Sequence, residues 1–207
     1  MKVARTVLKG ESGGNAAYLL NNKKNMQRVF LIGFMGAGKT SIGKALSAKM
    51  KCSFVDIDLF IERRYHKTIR QIFDEKGEED FREIEKKTLR EIAEFEDVVI
   101  STGGGTPCFH QNMQFMNEQG ITVYLKVTND ELVRRIKLNI NARPLLKDLT
   151  DNSLRLFVEE TMTTRTTFYD QAKIVFDAEK QNINMAIVSI MNLLKTEDTG
   201  EIGEVEK

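Results

Sequence analysis

Phosphate chemistry stands out most plainly in Gly33-Phe34-Met35-Gly36-Ala37-Gly38-Lys39-Thr40, which satisfies the pattern G-x-x-x-x-G-K-[ST] at every position. Glycines let a backbone wrap closely around an anion and adopt dihedrals closed to other residues. The loop N–H groups and the positive end of the following helix then face the phosphates of a nucleoside triphosphate. In such a loop the Lys39 ammonium reaches the β- and γ-phosphates and the Thr40 hydroxyl ligates Mg²⁺. Gly36, Ala37, Gly38 and Ser41 complete the expected nucleotide contacts.

A phosphate loop says what is held, not what is done with it. The next chemistry-bearing residues are Asp56-Ile57-Asp58, two acids at the end of a short apolar stretch. Switch and motor enzymes carry an acid at the end of a later strand, but here that strand ends Ile100-Ser101-Thr102-Gly103 without one. The displaced acids point instead to a kinase of small molecules, with one acid serving Mg²⁺ through water and the other the acceptor hydroxyl. The alternative is two solvated capping acids before a helix. Gly103-Gly104-Gly105 follows the same strand and offers bare backbone to a polyhydroxylated ligand or a transferring phosphoryl group; the alternative is a flexible turn. Arg82, Arg143 and Arg165 supply planar cations suited to carboxylates and to phosphoryl charge. Glu85, one turn beyond Arg82, is placed to orient it.

These groups need elements to bring them together. Val29-Phe30-Leu31-Ile32 before the loop reads as a buried strand, and Thr40 to Met50 after it as a helix. Further strands are expected at 52–56, 98–101, 121–127 and 174–177. Helices are expected at 59–66, 68–73 (with Thr68 as cap and Gln71 as its box partner), 78–94, 109–119, 130–138, 153–172 and 182–194. Gly120 is the expected stop of the helix before it. Five apolar strands alternating with helices predict an α/β fold, a parallel sheet with helices on both faces. The irregular stretch around Arg143-Pro144, about 139–153, is placed to fold over the nucleotide as a mobile lid.

Of 207 residues, 41% are apolar and 29% charged, and the net charge of +1 gives no reason to expect nucleic acid or an anionic membrane as partner. Two cysteines, Cys52 and Cys108, are too few for a disulfide framework, which fits a cytoplasmic location. Residues 1–26 read as a polar, basic, disordered leader, 27–195 as one domain, and 196–207 as a frayed tail. Cys52, Cys108, His66 and His110 carry no metal or triad pattern and read as structural or surface residues, although Cys108 follows Pro107 at a helix start, where thiols can gain reactivity.

Taken together, Gly33–Thr40, Asp56-Ile57-Asp58, Phe81-Arg82-x-x-Glu85, Gly103-Gly104-Gly105, Arg143-Pro144-Leu145-Leu146 and Arg165-x-x-x-Tyr169 occur in one order at matching intervals. In this the chain resembles the shikimate kinase family from Arg28 to Leu194. The resemblance implies a nucleoside-monophosphate-kinase-like sheet of order 2-3-1-4-5 and transfer of the ATP γ-phosphate to the 3-hydroxyl of shikimate, in aromatic amino acid biosynthesis. It implies that Lys39, Asp58 and Arg143 are catalytic, with Asp58 the base. It further implies that Asp58, Arg82, Arg165 and the backbone of Gly103, Gly104 and Gly105 bind shikimate, and that Thr40 and Asp56 hold Mg²⁺. Adenine contacts fall to the loop after the last strand, where Lys180 and Gln181 stand in place of the family's arginine and proline. A monomer is expected. Two other readings stay open: a gluconate or nucleoside-monophosphate kinase of similar fold, and a non-catalytic nucleotide-binding module. The module would be expected to have lost Lys39, Asp58 or a clamp arginine, and all are present.

Overall fold

Val29, Phe30, Leu31 and Ile32 are all without exposed surface. Successive strand residues point to opposite faces, so a strand buried at every position has cover on both. This strand, β1 (Arg28–Ile32), is the centre of the sheet. The computed structural model describes residues 28–138, 149–179 and 182–199. In chain order β1 is followed by α1 (Lys39–Met50), β2 (Ser53–Asp56), α2 (Ile57–Tyr65), α3 (Ile69–Ile92), β3 (Val98–Ser101) and a 3₁₀ turn (Thr106–Cys108). Then come α4 (Asn112–Gln119), β4 (Ile121–Lys126), α5 (Asn129–Leu138), α6 (Asp151–Tyr169), β5 (Ile174–Asp177) and α7 (Ile183–Thr199).

The strands pair in parallel in the order β2-β3-β1-β4-β5, as expected. Leu31 lies level with Ser101 on one side and Val123 on the other, so the ends of β1 and β3 open onto one edge. Open α/β sheets bind ligands in the crevices at that carboxyl edge. Thr102 reinforces it, since both its N–H and its hydroxyl donate to the Leu31 carbonyl at 3.1 Å.

Several element boundaries differ from those expected. Asp56 is the N-cap of α2, its carboxylate accepting from Leu59 N–H, so the helix starts earlier and Asp58 sits in its first turn. Thr68 and Gln71 do form a capping box, and the two helices expected from 68 to 94 are both present, meeting within α3 at a kink where Gly77 (φ 79°, ψ 175°) leaves helical geometry. The chain after Gly105 makes a 3₁₀ turn and two left-handed residues, His110 and Gln111, before α4 begins. Gly120 ends α4 in extended backbone rather than in a left-handed cap. Its necessity is steric: a Cβ there would stand 2.3 Å from the Arg28 carbonyl oxygen. At the far end, α7 continues past Leu194 to Thr199. The leader, most of the expected lid (139–148), Arg143, Lys180 and Gln181 lie outside the described residues.

Candidate active site

The loop between β1 and α1 depends on backbone that only glycine adopts easily: Gly33, Gly36 and Gly38 have φ of 136°, 86° and 100°. Gly38 caps α1 without a side-chain hydrogen bond, which leaves the first helical N–H groups directed at the cavity. Lys39 is buried, and its ammonium donates to the carbonyls of Gly33 (2.8 Å) and Phe34 (2.9 Å). The loop therefore holds its lysine in place beside the anion site. Next to it the Thr40 hydroxyl donates to Asp56 Oδ2 at 2.8 Å. Asp56 thus caps α2 with one oxygen, as the capping reading had it, and meets the phosphate loop with the other.

A cavity of about 480 Å³ opens here, lined by the loop, Thr40, Asp56, Asp58, Gly104 and Arg135. Asp58 projects into it from α2. Burial pushes its carboxyl up to about 7, helped by the negative charges of Glu85 and Asp56 and opposed by Lys39. An acid with that property is poised to accept a proton near neutrality.

Glu85, whose charge acts on Asp58, pairs with Arg82 on α3, and the Arg82 side chain is only 10% exposed. Glu85, 1% exposed, accepts from Arg82 Nη1 at 2.9 Å, and Glu78 accepts from Nη2 at 3.1 Å. The guanidinium also lies 4.1 Å from the centre of the Phe109 ring, so its plane is set by stacking as well as by charge. Arg165, from α6, lies over Phe34. One turn on, the buried Tyr169 hydroxyl donates to the Gly104 carbonyl at 2.5 Å, and burial raises its phenol.

The three glycines fit among these groups because each lacks a Cβ. A Cβ on Gly103 would stand 2.9 Å from Asp58 Oδ1, one on Gly104 would stand 3.2 Å from Arg165 Nη1, and one on Gly105 would stand 2.8 Å from both terminal nitrogens of Arg82. Every catalytic and binding residue expected from the sequence and described in the structure lies at this edge, around the loop, the glycine turn and the α2–α3 acids. Arg143 and Gln181 are beyond the described residues.

Four contributors escaped the sequence reading. Glu78 was detectable as the i−4 neighbour of Arg82 on a helix. Thr106 and Phe109 had no signal beyond following the glycines. Arg135 belongs to no motif, yet its guanidinium donates to the carbonyls of Ala178 (2.9 Å) and Ala37 (3.4 Å), spanning the phosphate loop and the chain after β5. Cys108 is half-buried and its thiol is pushed up by burial, against the reactivity a helix start could have conferred. His110 lies 3.4 Å from Glu83.

A phosphate loop facing an acid across the carboxyl edge of a parallel sheet, with arginines at the adjoining glycine turn, defines a P-loop kinase acting on a small molecule. The comparisons narrow the class: a family model described as Shikimate kinase matches residues 35–195. Shikimate kinase of Parabacteroides distasonis is 54% identical over 169 residues, 82% of this chain and 98% of that protein. The crystal structure of shikimate kinase from Bacteroides thetaiotaomicron is 45% identical with a TM-score of 0.79, covering 82% of this chain and 98% of that one. Shikimate kinase from Acinetobacter baumannii in complex with shikimate is 29% identical with a TM-score of 0.76, over 84% and 95%. The chain belongs to the shikimate kinase family.

Proposed function

We propose that the protein transfers the γ-phosphoryl group of ATP to the 3-hydroxyl of shikimate. The observation that carries this is the opposition, within one cavity, of Lys39 and Thr40 on the donor side and Asp58 on the acceptor side, with Arg82 held by Glu85 at the adjoining glycine turn. The acceptor hydroxyl oxygen bonds to the γ-phosphorus as the bond from phosphorus to the β–γ bridging oxygen breaks. ADP leaves and the hydroxyl proton passes to Asp58. In a loose transition state the first task of Asp58 is to aim the hydroxyl, and proton removal follows late.

Lys39 exchanges its loop carbonyls for phosphate oxygens and neutralises charge on the β- and γ-groups. Arg82 and Arg165 grip the acceptor carboxylate, a planar anion that a guanidinium binds in a paired geometry. The glycine turn permits that approach because no side chain intervenes. Arg135 offers a flat cationic surface between the phosphate loop and the chain after β5, suited to stacking on the base. Arg143 and Gln181 are assigned to the lid and the base on the family pattern.

The donor set suits Mg²⁺, since the Thr40 hydroxyl and the Asp56 carboxylate are hard oxygens already in contact beside the loop. When bound there, the ion supplies charge neutralisation between the phosphates. Asp56 would help to hold the ion, through water, while keeping its capping bond to α2. The reading includes action as a monomer in the cytoplasm, with no nucleic-acid or membrane partner. Among the described residues no helix is long and apolar enough to cross a membrane.

ADP release measured in a coupled assay with purified protein and ATP–Mg²⁺ should depend on shikimate. Equal turnover with gluconate, or none with shikimate, would overturn the assignment.

A further inference from the structure

Beneath the glycine turn runs a buried polar chain that substrate contacts alone do not require. Arg90 Nη1 donates to Asn112 Oδ1 at 3.0 Å, and Asn112 Nδ2 donates to the Thr106 carbonyl at 3.0 Å. The Thr106 hydroxyl donates to Glu85 Oε1 at 2.5 Å, and the other Glu85 oxygen accepts from Arg82. Thr106 and Asn112 have no exposed surface. We propose that Thr106 is a positioning residue for the acceptor: its hydroxyl fixes the orientation of Glu85, and through Glu85 the guanidinium of Arg82. This rests on the reading of Arg82 as a clamp on the acceptor carboxylate.

A buried carboxylate needs donors on both oxygens. Arg82 serves Oε2, and among the described residues Thr106 is the side chain that serves Oε1. The surroundings make that second donor consequential. Glu85 Oε1, Asp58 Oδ1 and Thr106 Oγ1 converge on one point, all within 3.0 Å of where a Cβ on Gly103 would be. With the hydroxyl present, Oε1 is satisfied by a donor. Without it, Oε1 is left beside a second carboxylate oxygen, and Glu85 lowers the repulsion by turning away and drawing Arg82 with it. Thr106 is itself held in place, because its N–H donates to the Gly103 carbonyl at 3.2 Å and closes the turn. The hydroxyl is therefore presented from a fixed backbone.

The test is a set of steady-state measurements on Thr106→Val, Thr106→Ser and Glu85→Met, with the Thr106→Val/Glu85→Met double variant, each checked for folding by thermal melting. Loss of a hydrogen bond to a charged group predicts that Thr106→Val raises KM for shikimate by about tenfold while KM for ATP is unchanged. Thr106→Ser retains wild-type behaviour, and in the Glu85→Met background the valine substitution has no further effect on KM for shikimate. Should the valine variant fail to fold, Thr106→Ala removes the same hydroxyl without adding bulk and carries the same expectations. The proposal is overturned if hydroxyl loss leaves KM for shikimate unchanged, if both KM values rise together, or if the effect persists undiminished without Glu85. Arg82→Gln separates the two layers. If it raises KM for shikimate while Thr106→Val is silent, the positioning role alone fails. If Arg82→Gln is itself silent, the clamp reading fails and the proposal with it.

Discussion

Replacing Asp58 with Asn should separate what burial costs the fold from what it contributes to the reaction. An aspartate in the unfolded chain ionises near 3.9, whereas Asp58 in the folded protein does so at about 7. Below pH 4 both states hold the proton and the residue is neutral to stability. Between pH 4 and 7 the unfolded chain gives up its proton first, so the native state is progressively disfavoured as pH rises. Above 7 it carries the full cost of a desolvated carboxylate. Each pKa unit is worth about 1.4 kcal/mol. Screening by water in the open cavity reduces the sum, leaving about 2–4 kcal/mol at pH 8. Asn is nearly isosteric and carries no charge, so Asp58→Asn should match the wild type near pH 3.5 and melt roughly 5–15 °C higher at pH 8. Melting curves across that pH range, recorded without nucleotide or Mg²⁺, measure the difference. The same variant should bind ATP and fail to turn over shikimate. Parallel melting profiles at every pH would refute the buried-charge argument, and a fully active Asn variant would remove Asp58 from the chemistry.

Two glycine substitutions should give contrasting phenotypes. In Gly105→Ala the new Cβ meets the terminal nitrogens of Arg82 at 2.8 Å; KM for shikimate should rise at least about tenfold as the guanidinium is displaced, with a smaller loss of stability than in Gly120→Ala as the buried Glu85 pair is weakened. In Gly120→Ala the Cβ meets the Arg28 carbonyl at 2.3 Å, backbone that cannot rotate aside, so stability should fall by about 3 kcal/mol or more in denaturant titrations, with the KM values of the surviving folded protein unchanged.

The elements that repeat a pattern were legible before the fold was seen. β1 and β3 carry the apolar runs Val29–Ile32 and Val98–Ile100, and the phosphate loop is a local signature whose geometry is set by its own glycines. The fold order and the assignment of Arg82 and Arg165 to one ligand rested on resemblance, because no local rule says that α3 and α6 meet at the glycine turn. Local rules did show Glu85 as a partner of Arg82, and could have shown Glu78. They could not show that Thr106 would donate to Glu85 or that Phe109 would stack on Arg82, since these contacts join segments far apart in the chain. Gly103, Gly104 and Gly105 were read as bare backbone offered to a ligand, not as room for Asp58, Arg165 and Arg82. Space is what the fold asks of them, and a missing Cβ has no sequence signal until its neighbours are known.

The position of β1 has a consequence for how the protein comes into being. Arg28 pairs with Val98 and Val29 with Ile121, so the strand that launches the phosphate loop is made first and finds its partners only after much more chain has been synthesised. Such distant pairings slow folding, because chain entropy is lost before the contacts that offset it can form. The nascent chain therefore carries an apolar strand without neighbours until β3 and β4 emerge. ATP, which binds the finished loop and not the unpaired strand, would act as a ligand that draws the last stages of folding to completion.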